Sequence, residues 1–138
     1  MIILDTNVAS ALMRLESEPA VADWLSKQVR DTLHLTTVSI FEIQFGIERF
    51  PAGGKRRQLE AGFASVMRNV IAGRTLQLDH FTALAAAVVH VKRGKAKANV
   101  QAPDSLIAGA AKHYGATVAT RNTKDFGGLG LTLVDPWK

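Results

Sequence analysis

No cysteine occurs anywhere in the 138 residues. That absence excludes disulfides, thiolate zinc sites and cysteine nucleophiles, and it makes an intracellular, cytoplasmic location the simplest expectation. No Pro/Gly/Ser-rich spacer, internal repeat or low-complexity tract divides the chain, so with 47% hydrophobic residues a single domain over 1–138 is expected, large enough for a proper core. Long hydrophobic runs are missing too. The opening apolar run is a few residues long and ends in an acid, so neither a signal peptide nor a membrane span is expected. Familiar catalytic signatures are absent as well. His34, His80, His90 and His113 form no His-x-x-x-His or His-Glu pair, and no Gly-x-Ser-x-Gly elbow is present. Gly53-Gly54-Lys55 lacks the earlier glycine and the Ser/Thr of a phosphate-binding loop, and Gly127-Gly128-Leu129-Gly130 falls too late to open a βαβ unit.

What the chain does have is an excess of base and a few well-placed acids. Lys plus Arg number 17 against 12 Asp plus Glu, a formal +5, which suits a polyanionic partner and equally suits a solvated surface. Ile2-Ile3-Leu4 is apolar on consecutive positions, as a strand buried on both faces of a parallel sheet requires, and it ends in Asp5-Thr6-Asn7. Strand signals recur at Leu33–Thr37, Thr75–Leu78, Thr117–Thr120 and Leu131–Val134.

Helical periodicity fills the intervals. A short segment runs from Asp5 to about Leu15, and Glu18-Pro19 opens a helix with Val21, Trp24 and Leu25 on one side. Val38 starts a helix with a Ser39-x-x-Glu42 capping box and an apolar face of Ile40, Ile43, Ile47 and Phe50. Lys55 leads into its hairpin partner, closed by Gly73. Asp79 caps a helix carrying Phe81, Leu84, Val88 and Val91, residues 92–101 read as a polar loop, and Pro103-Asp104 opens a helix with Leu106, Ile107, Ala110, Ala111 and Tyr114, ended by Gly115. Arg121–Phe126 reads as the loop leaving the next strand. The alternation predicts an α/β fold with a central parallel sheet flanked by helices.

Asp5, Glu42, Asp104 and Asp125 each fall at a strand end or in the first turn of a helix, which in a parallel sheet is one edge of the domain. Asp5, with no Lys or Arg next to it in sequence, suits a metal cation. Each of the four also has a local alternative. Asp5 can cap the helix after it, Glu42 can close its box with Ser39, Asp104 can favour its helix dipole and Asp125 can cap a turn.

Taken in order, Ile3-Leu4-Asp5-Thr6-Asn7, Glu42 with Phe45-Gly46, Asp104-Ser105-Leu106-Ile107-Ala108, Thr120-Arg121-Asn122-Thr123-Lys124-Asp125-Phe126 and Asp135-Pro136-Trp137 resemble a PIN-domain ribonuclease of the VapC type, in its FitB-like group. The resemblance covers the whole chain. It implies a single PIN domain with Mg²⁺- or Mn²⁺-dependent endoribonuclease activity, in which Asp5, Glu42 and Asp104 gather the metal and Asn7 and Thr120 hydrogen-bond the carboxylates or metal waters. Many relatives carry an acid directly after the Thr-Arg pair. Here that place is Asn122, with Asp125 three residues on, which leaves open the fourth acidic role and the choice of one or two metals. A catalytically weak PIN-like binding protein is the alternative reading.

The resemblance further implies a toxin acting on RNA and silenced by a small, DNA-binding antitoxin. The helices between Ser39 and Ala72 carry more apolar residues than one buried stripe needs, with Phe41, Phe45 and Ile47 joining Ile40, Ile43 and Phe50. That surplus suits a groove for an amphipathic partner helix and a homodimer contact. The basic runs Lys55–Arg57 and Lys92–Lys97 can steer RNA or simply be solvated.

Overall fold

Ile3 and Leu4 leave the first strand in opposite directions, and both are completely buried, so each face of that strand meets its own layer of helices. The computed structural model describes residues 1–138. Strands β1 (Ile2–Leu4), β2 (Leu33–Thr36), β3 (Thr75–Leu76), β4 (Thr117–Ala119) and β5 (Leu133–Val134) form one sheet in the order β3-β2-β1-β4-β5. Every pairing is parallel, with Leu4 opposite Leu35 on one side and Ala119 on the other. The helices are α1 (Thr6–Leu12), α2 (Pro19–Ser26), α3 (Thr37–Glu48), α4 (Gly54–Val66), α5 (His80–Ala96), α6 (Ala102–Tyr114) and α7 (Thr123–Phe126).

Leu4, Leu33 and Leu35 pack with Val8, Leu12, Val21, Leu25, Ile43, Ile47 and Val66, which places α1 to α4 on one face. Ile3 and Val118 pack with Val89, Ile107, Ala111 and Phe126, which places α5 to α7 on the other. Each fully buried Ile or Leu of β1 contributes about 1.5–3 kcal/mol by removal from water, so the central strand is strongly fixed for its length. The strand order turns back on itself between β1 and β4. In open parallel sheets the crevice beyond the strand ends at such a reversal is where ligands sit.

Several elements depart from the sequence reading. The Ser39–Glu42 capping box does not form, because α3 begins at Thr37 and the Thr36 hydroxyl accepts the Ser39 N–H at 3.3 Å. Residues 92–96 belong to α5 rather than to a loop, and Thr123–Phe126 is a short helix. The stripe Phe81, Leu84, Val88 and Val91 on α5 faces outward, between 56% and 71% exposed. The buried side of α5 is instead Thr82, Ala86, Val89 and Arg93. Gly109 explains why: a Cβ there would lie 2.5 Å from the Ala86 Cα, so α5 and α6 touch backbone to backbone and admit only small side chains between them. The Asp79 cap does form, with its carboxylate accepting the Thr82 N–H at 2.9 Å and the Thr82 hydroxyl accepting the Asp79 N–H at 2.8 Å. In the hairpin Ile47 is buried, while Phe41, Phe45 and Phe50 are exposed.

Candidate active site

Asp5 continues β1 by one residue. Its N–H donates to the Ala119 carbonyl at 3.0 Å, and its Oδ1 accepts the Val8 N–H at 2.8 Å. It therefore does cap α1, yet the cap occupies one oxygen only and leaves the carboxylate at the reversal between β1 and β4. Burial pushes the Asp5 pKa up, against hydrogen bonds from the Thr120 hydroxyl and the Val8 N–H, and the charge of Asp104 raises it further. Thr120 is fully buried at the end of β4, and its hydroxyl also accepts the Asn122 N–H at 2.9 Å.

Glu42 sits one turn into α3 and is held from β1's side of the sheet. The Thr6 hydroxyl donates to Glu42 Oε1 at 2.6 Å, leaving the buried Ser39 hydroxyl to donate to Thr6 at 2.9 Å. Thr6 was not among the sequence candidates, and Ser39 was read only as half of a cap. The signal was present in Leu4-Asp5-Thr6, where a hydroxyl follows the acid at the strand end. Asn7 is exposed, and its side-chain amide makes no hydrogen bond to a carboxylate, although its backbone N–H helps lower the Asp5 pKa.

Asp104 lies in the first turn of α6, about one-third exposed. Burial raises its pKa first. The Arg93 guanidinium, 3.7 Å away, works against that, while the charges of Asp125 and Glu42 push it up again. Asp125 lies on α7 and does not cap it. Its carboxylate accepts from Lys97 Nζ and from the Asn122 side-chain amide, and the Lys97 contact holds its pKa below the usual range. Asn122 and Asp125 thus meet each other rather than competing for one place.

The four acids therefore share one edge: the charge of Asp104 raises the pKa of Asp5, and the charges of Asp125 and Glu42 raise that of Asp104. Carboxylate oxygens are the donors that hard divalent cations prefer, and a cation would relieve their mutual repulsion. As the side chains stand, however, no three acidic or imidazole groups surround one point closely enough to ligate an ion. Thr6 holds Glu42, while Arg93 of α5 and Lys97, the residue that follows α5, hold Asp104 and Asp125.

The chain matches the PIN domain family over residues 2–127. It is 36% identical to the plasmid stability protein StbB of Pseudomonas syringae pv. tomato, over 100% of this chain and 99% of that protein. It is 33% identical to VapC ribonuclease Y4jK of Sinorhizobium fredii, with the same coverage. Toxin FitB of Neisseria gonorrhoeae is 29% identical over 99% of both chains. Among solved structures, FitAB bound to an IR36 DNA fragment superposes with a TM-score of 0.87 at 29% identity, covering 100% of this chain and 96% of that one. A parallel sheet in this order, acids gathered where it reverses and relatives matched along nearly their whole length lead to one assignment: the chain belongs to the PIN domain family.

Proposed function

We propose that this protein is a divalent-metal-dependent endoribonuclease acting as the toxin of a toxin–antitoxin pair in the cytoplasm. The observation that carries the reading is the electrostatic meeting of Asp5, Glu42 and Asp104 at the sheet reversal. The names of the relatives, a VapC ribonuclease and a toxin, support it. Asp5, Glu42 and Asp104 would hold Mg²⁺ or Mn²⁺, with Asp125 and Asn122 at the rim. Bound there, a divalent cation would supply Lewis acidity toward a phosphodiester and toward a water nucleophile. The chain's own work is orientation. Thr6 and Ser39 fix Glu42, and Thr120 and the Val8 N–H fix Asp5, so the carboxylates are aimed before substrate arrives. The net charge of +5 favours encounter with RNA.

One observation favours a second reading, a PIN-like protein that binds without turnover: Asp104 and Asp125 already face cations of the same chain. Incubating purified protein with a structured RNA, with Mg²⁺, with Mn²⁺ and with EDTA, separates the two. Cleavage that EDTA stops supports the nuclease; intact RNA under all conditions, from a folded protein, sinks it.

The partner surfaces follow from what is left uncovered. A groove of about 700 Å³ runs between α1, α3 and α4, lined by Ile47, Phe50 and Leu59 and reaching Thr6 and Glu42. Phe41 and Phe45 stand exposed on the other face of α3, outside this groove. An amphipathic antitoxin helix suits this groove, with an Arg or Lys of its tail set against the acids. FitAB bound to DNA, a similar structure, supports a DNA-binding partner. The outward stripe of α5, spaced i, i+3, i+7 and i+10, is the better place for a second copy. No helix is long and apolar enough to cross a membrane.

A further inference from the structure

We propose that Arg93 is a positioning residue for Asp104, a buried cation that holds this carboxylate, and the start of α6 with it, in the orientation the acidic edge requires. The proposal rests on the nuclease reading for its catalytic consequence, but its physical core can be tested without it. Arg93 is only 6% exposed, in the last turns of α5 where the sequence suggested a solvated loop. A guanidinium removed from water is costly unless it is paired and its N–H groups are used. Here one terminal nitrogen donates to the Gln101 carbonyl at 3.1 Å and to the Ser105 hydroxyl at 2.7 Å. The other faces Asp104 Oδ2 at 3.7 Å.

These partners are consecutive features of one segment. Gln101 precedes α6, Asp104 lies in its first turn, and Ser105 follows on its buried side. The Ser105 hydroxyl also meets His90 Nδ1 at 2.8 Å, so α5 grips the beginning of α6 through two side chains one turn apart. Behind this grip Ala86 and Gly109 bring the helix backbones into contact, which gives Arg93 a fixed platform. Arg93 has no other carboxylate within ion-pair distance, so its burial depends on the acid that belongs to the candidate site. A brace with a purely structural role would be as well served by an apolar side chain, and such replacements are often neutral or stabilising. Asp104 Oδ1 is left free while Oδ2 is turned toward α5, which is the asymmetry an oriented ligand needs.

The test uses the full-length protein and the variants Arg93→Met, Arg93→Lys, Asp104→Asn and the Arg93→Met/Asp104→Asn double variant. Steady-state cleavage of RNA by Arg93→Met should show kcat reduced about 10- to 100-fold with KM changed little, the size typical when a group that orients a ligand is removed. Arg93→Lys should recover part of that loss. Thermal melts without divalent metal should show non-additivity: Asp104→Asn is less favourable to the melting temperature in the wild-type background than once Arg93 is Met. Additive melting shifts would overturn the pairing whether or not the wild type cuts RNA. Unchanged kcat in folded Arg93→Met, with wild-type cleavage intact, would overturn the positioning role. Wild-type protein that leaves RNA whole, with non-additive melts, would overturn the nuclease reading and the catalytic consequence of the proposal together, while upholding the pairing.

Discussion

The two halves of the acidic edge are held by different kinds of group. On the side of β1 and α3, neutral donors do the work: the Val8 N–H and Thr120 hydroxyl on Asp5, the Thr6 hydroxyl on Glu42. On the side of α5, α6 and α7, cations do it: Arg93 on Asp104 and Lys97 on Asp125. Neutral donors aim a carboxylate without cancelling its charge. Cations stabilise the charge and also compete for it, so the second half is more sensitive to salt, to substitution and to any external cation.

The largest contrast should come from removing charge on each side. Asp5→Asn, Glu42→Gln and Asp104→Asn should each reduce RNA cleavage by about a hundredfold or more, as loss of several kcal/mol of transition-state stabilisation implies. Their stabilities should diverge. Asn at position 5 still offers an oxygen to the Val8 N–H and sheds a buried charge, so Asp5→Asn should melt at or above the wild-type temperature. Asp104→Asn also sheds a partly buried charge, but it strands Arg93, so it should melt below Asp5→Asn. Equal stability of the two variants would erase the contrast.

Gly109→Ala attacks the cation-paired half alone. Its methyl group would fall 2.5 Å from the Ala86 backbone, so α5 and α6 must part, at about 2–3 kcal/mol in urea denaturation despite the better helix propensity of alanine. Thr6→Val attacks the other half and should cost about 1–2 kcal/mol, since the part-buried hydrogen bonds to Glu42 and from Ser39 are both lost while the shape is kept. The shift it causes should be the same in low and high salt, whereas the gap between Asp5→Asn and Asp104→Asn should shrink as salt rises.

The smallest effect is with pH. Asp5 and Asp104 have folded pKa values raised above the ordinary value of 3.8, so the native state binds their protons more tightly than the unfolded chain does. Their contribution therefore rises as pH falls through the folded values and is complete below 3.8. Asp125, whose value is lowered, behaves in the opposite way: its contribution is present above 3.8 and is lost as pH falls through its folded value. Melting temperatures of the metal-free protein should thus rise modestly on going from neutral pH toward the unfolded carboxyl range, then fall. Asp5→Asn should flatten the rise, and a monotonic fall in the wild type would contradict it.

The fold was legible where periodicity and burial agreed. Ile2-Ile3-Leu4 reads as a doubly buried strand because it is one, and Pro103 and Gly115 bracket α6 for steric reasons that act locally. The four acids fell on one edge because strand ends and helix starts coincide there. The α5 reading failed where the rule for apolar stripes met a backbone contact. The buried side of that helix is chosen by the room left beside Gly109, which favours Thr82 and Ala86 over Phe81 and Leu84. Arg93 and Lys97 were illegible as site residues for a related reason: four basic residues in ten look solvated unless the acids they meet, on other elements, are already in place. Thr6 and Ser39 lie 33 residues apart, and only the alignment of β1 beside β2 brings their hydroxyls together.

The position of β1 in the middle of the sheet has a consequence for how the molecule comes into being. Strand β1 pairs on one side with β2 and on the other with β4, which begins only at Thr117. Until β4 emerges from the ribosome, one side of β1 has no neighbour, Asp5 has neither the Ala119 carbonyl nor the Thr120 hydroxyl, and Asp125 does not yet exist. Long-range parallel pairing of this kind is slow to form. The unfinished chain therefore presents an open edge of β1, the kind of edge that invites wrong pairing, for most of each round of translation. On the toxin reading proposed above, that interval is also the time an antitoxin has to be ready for the finished acidic edge.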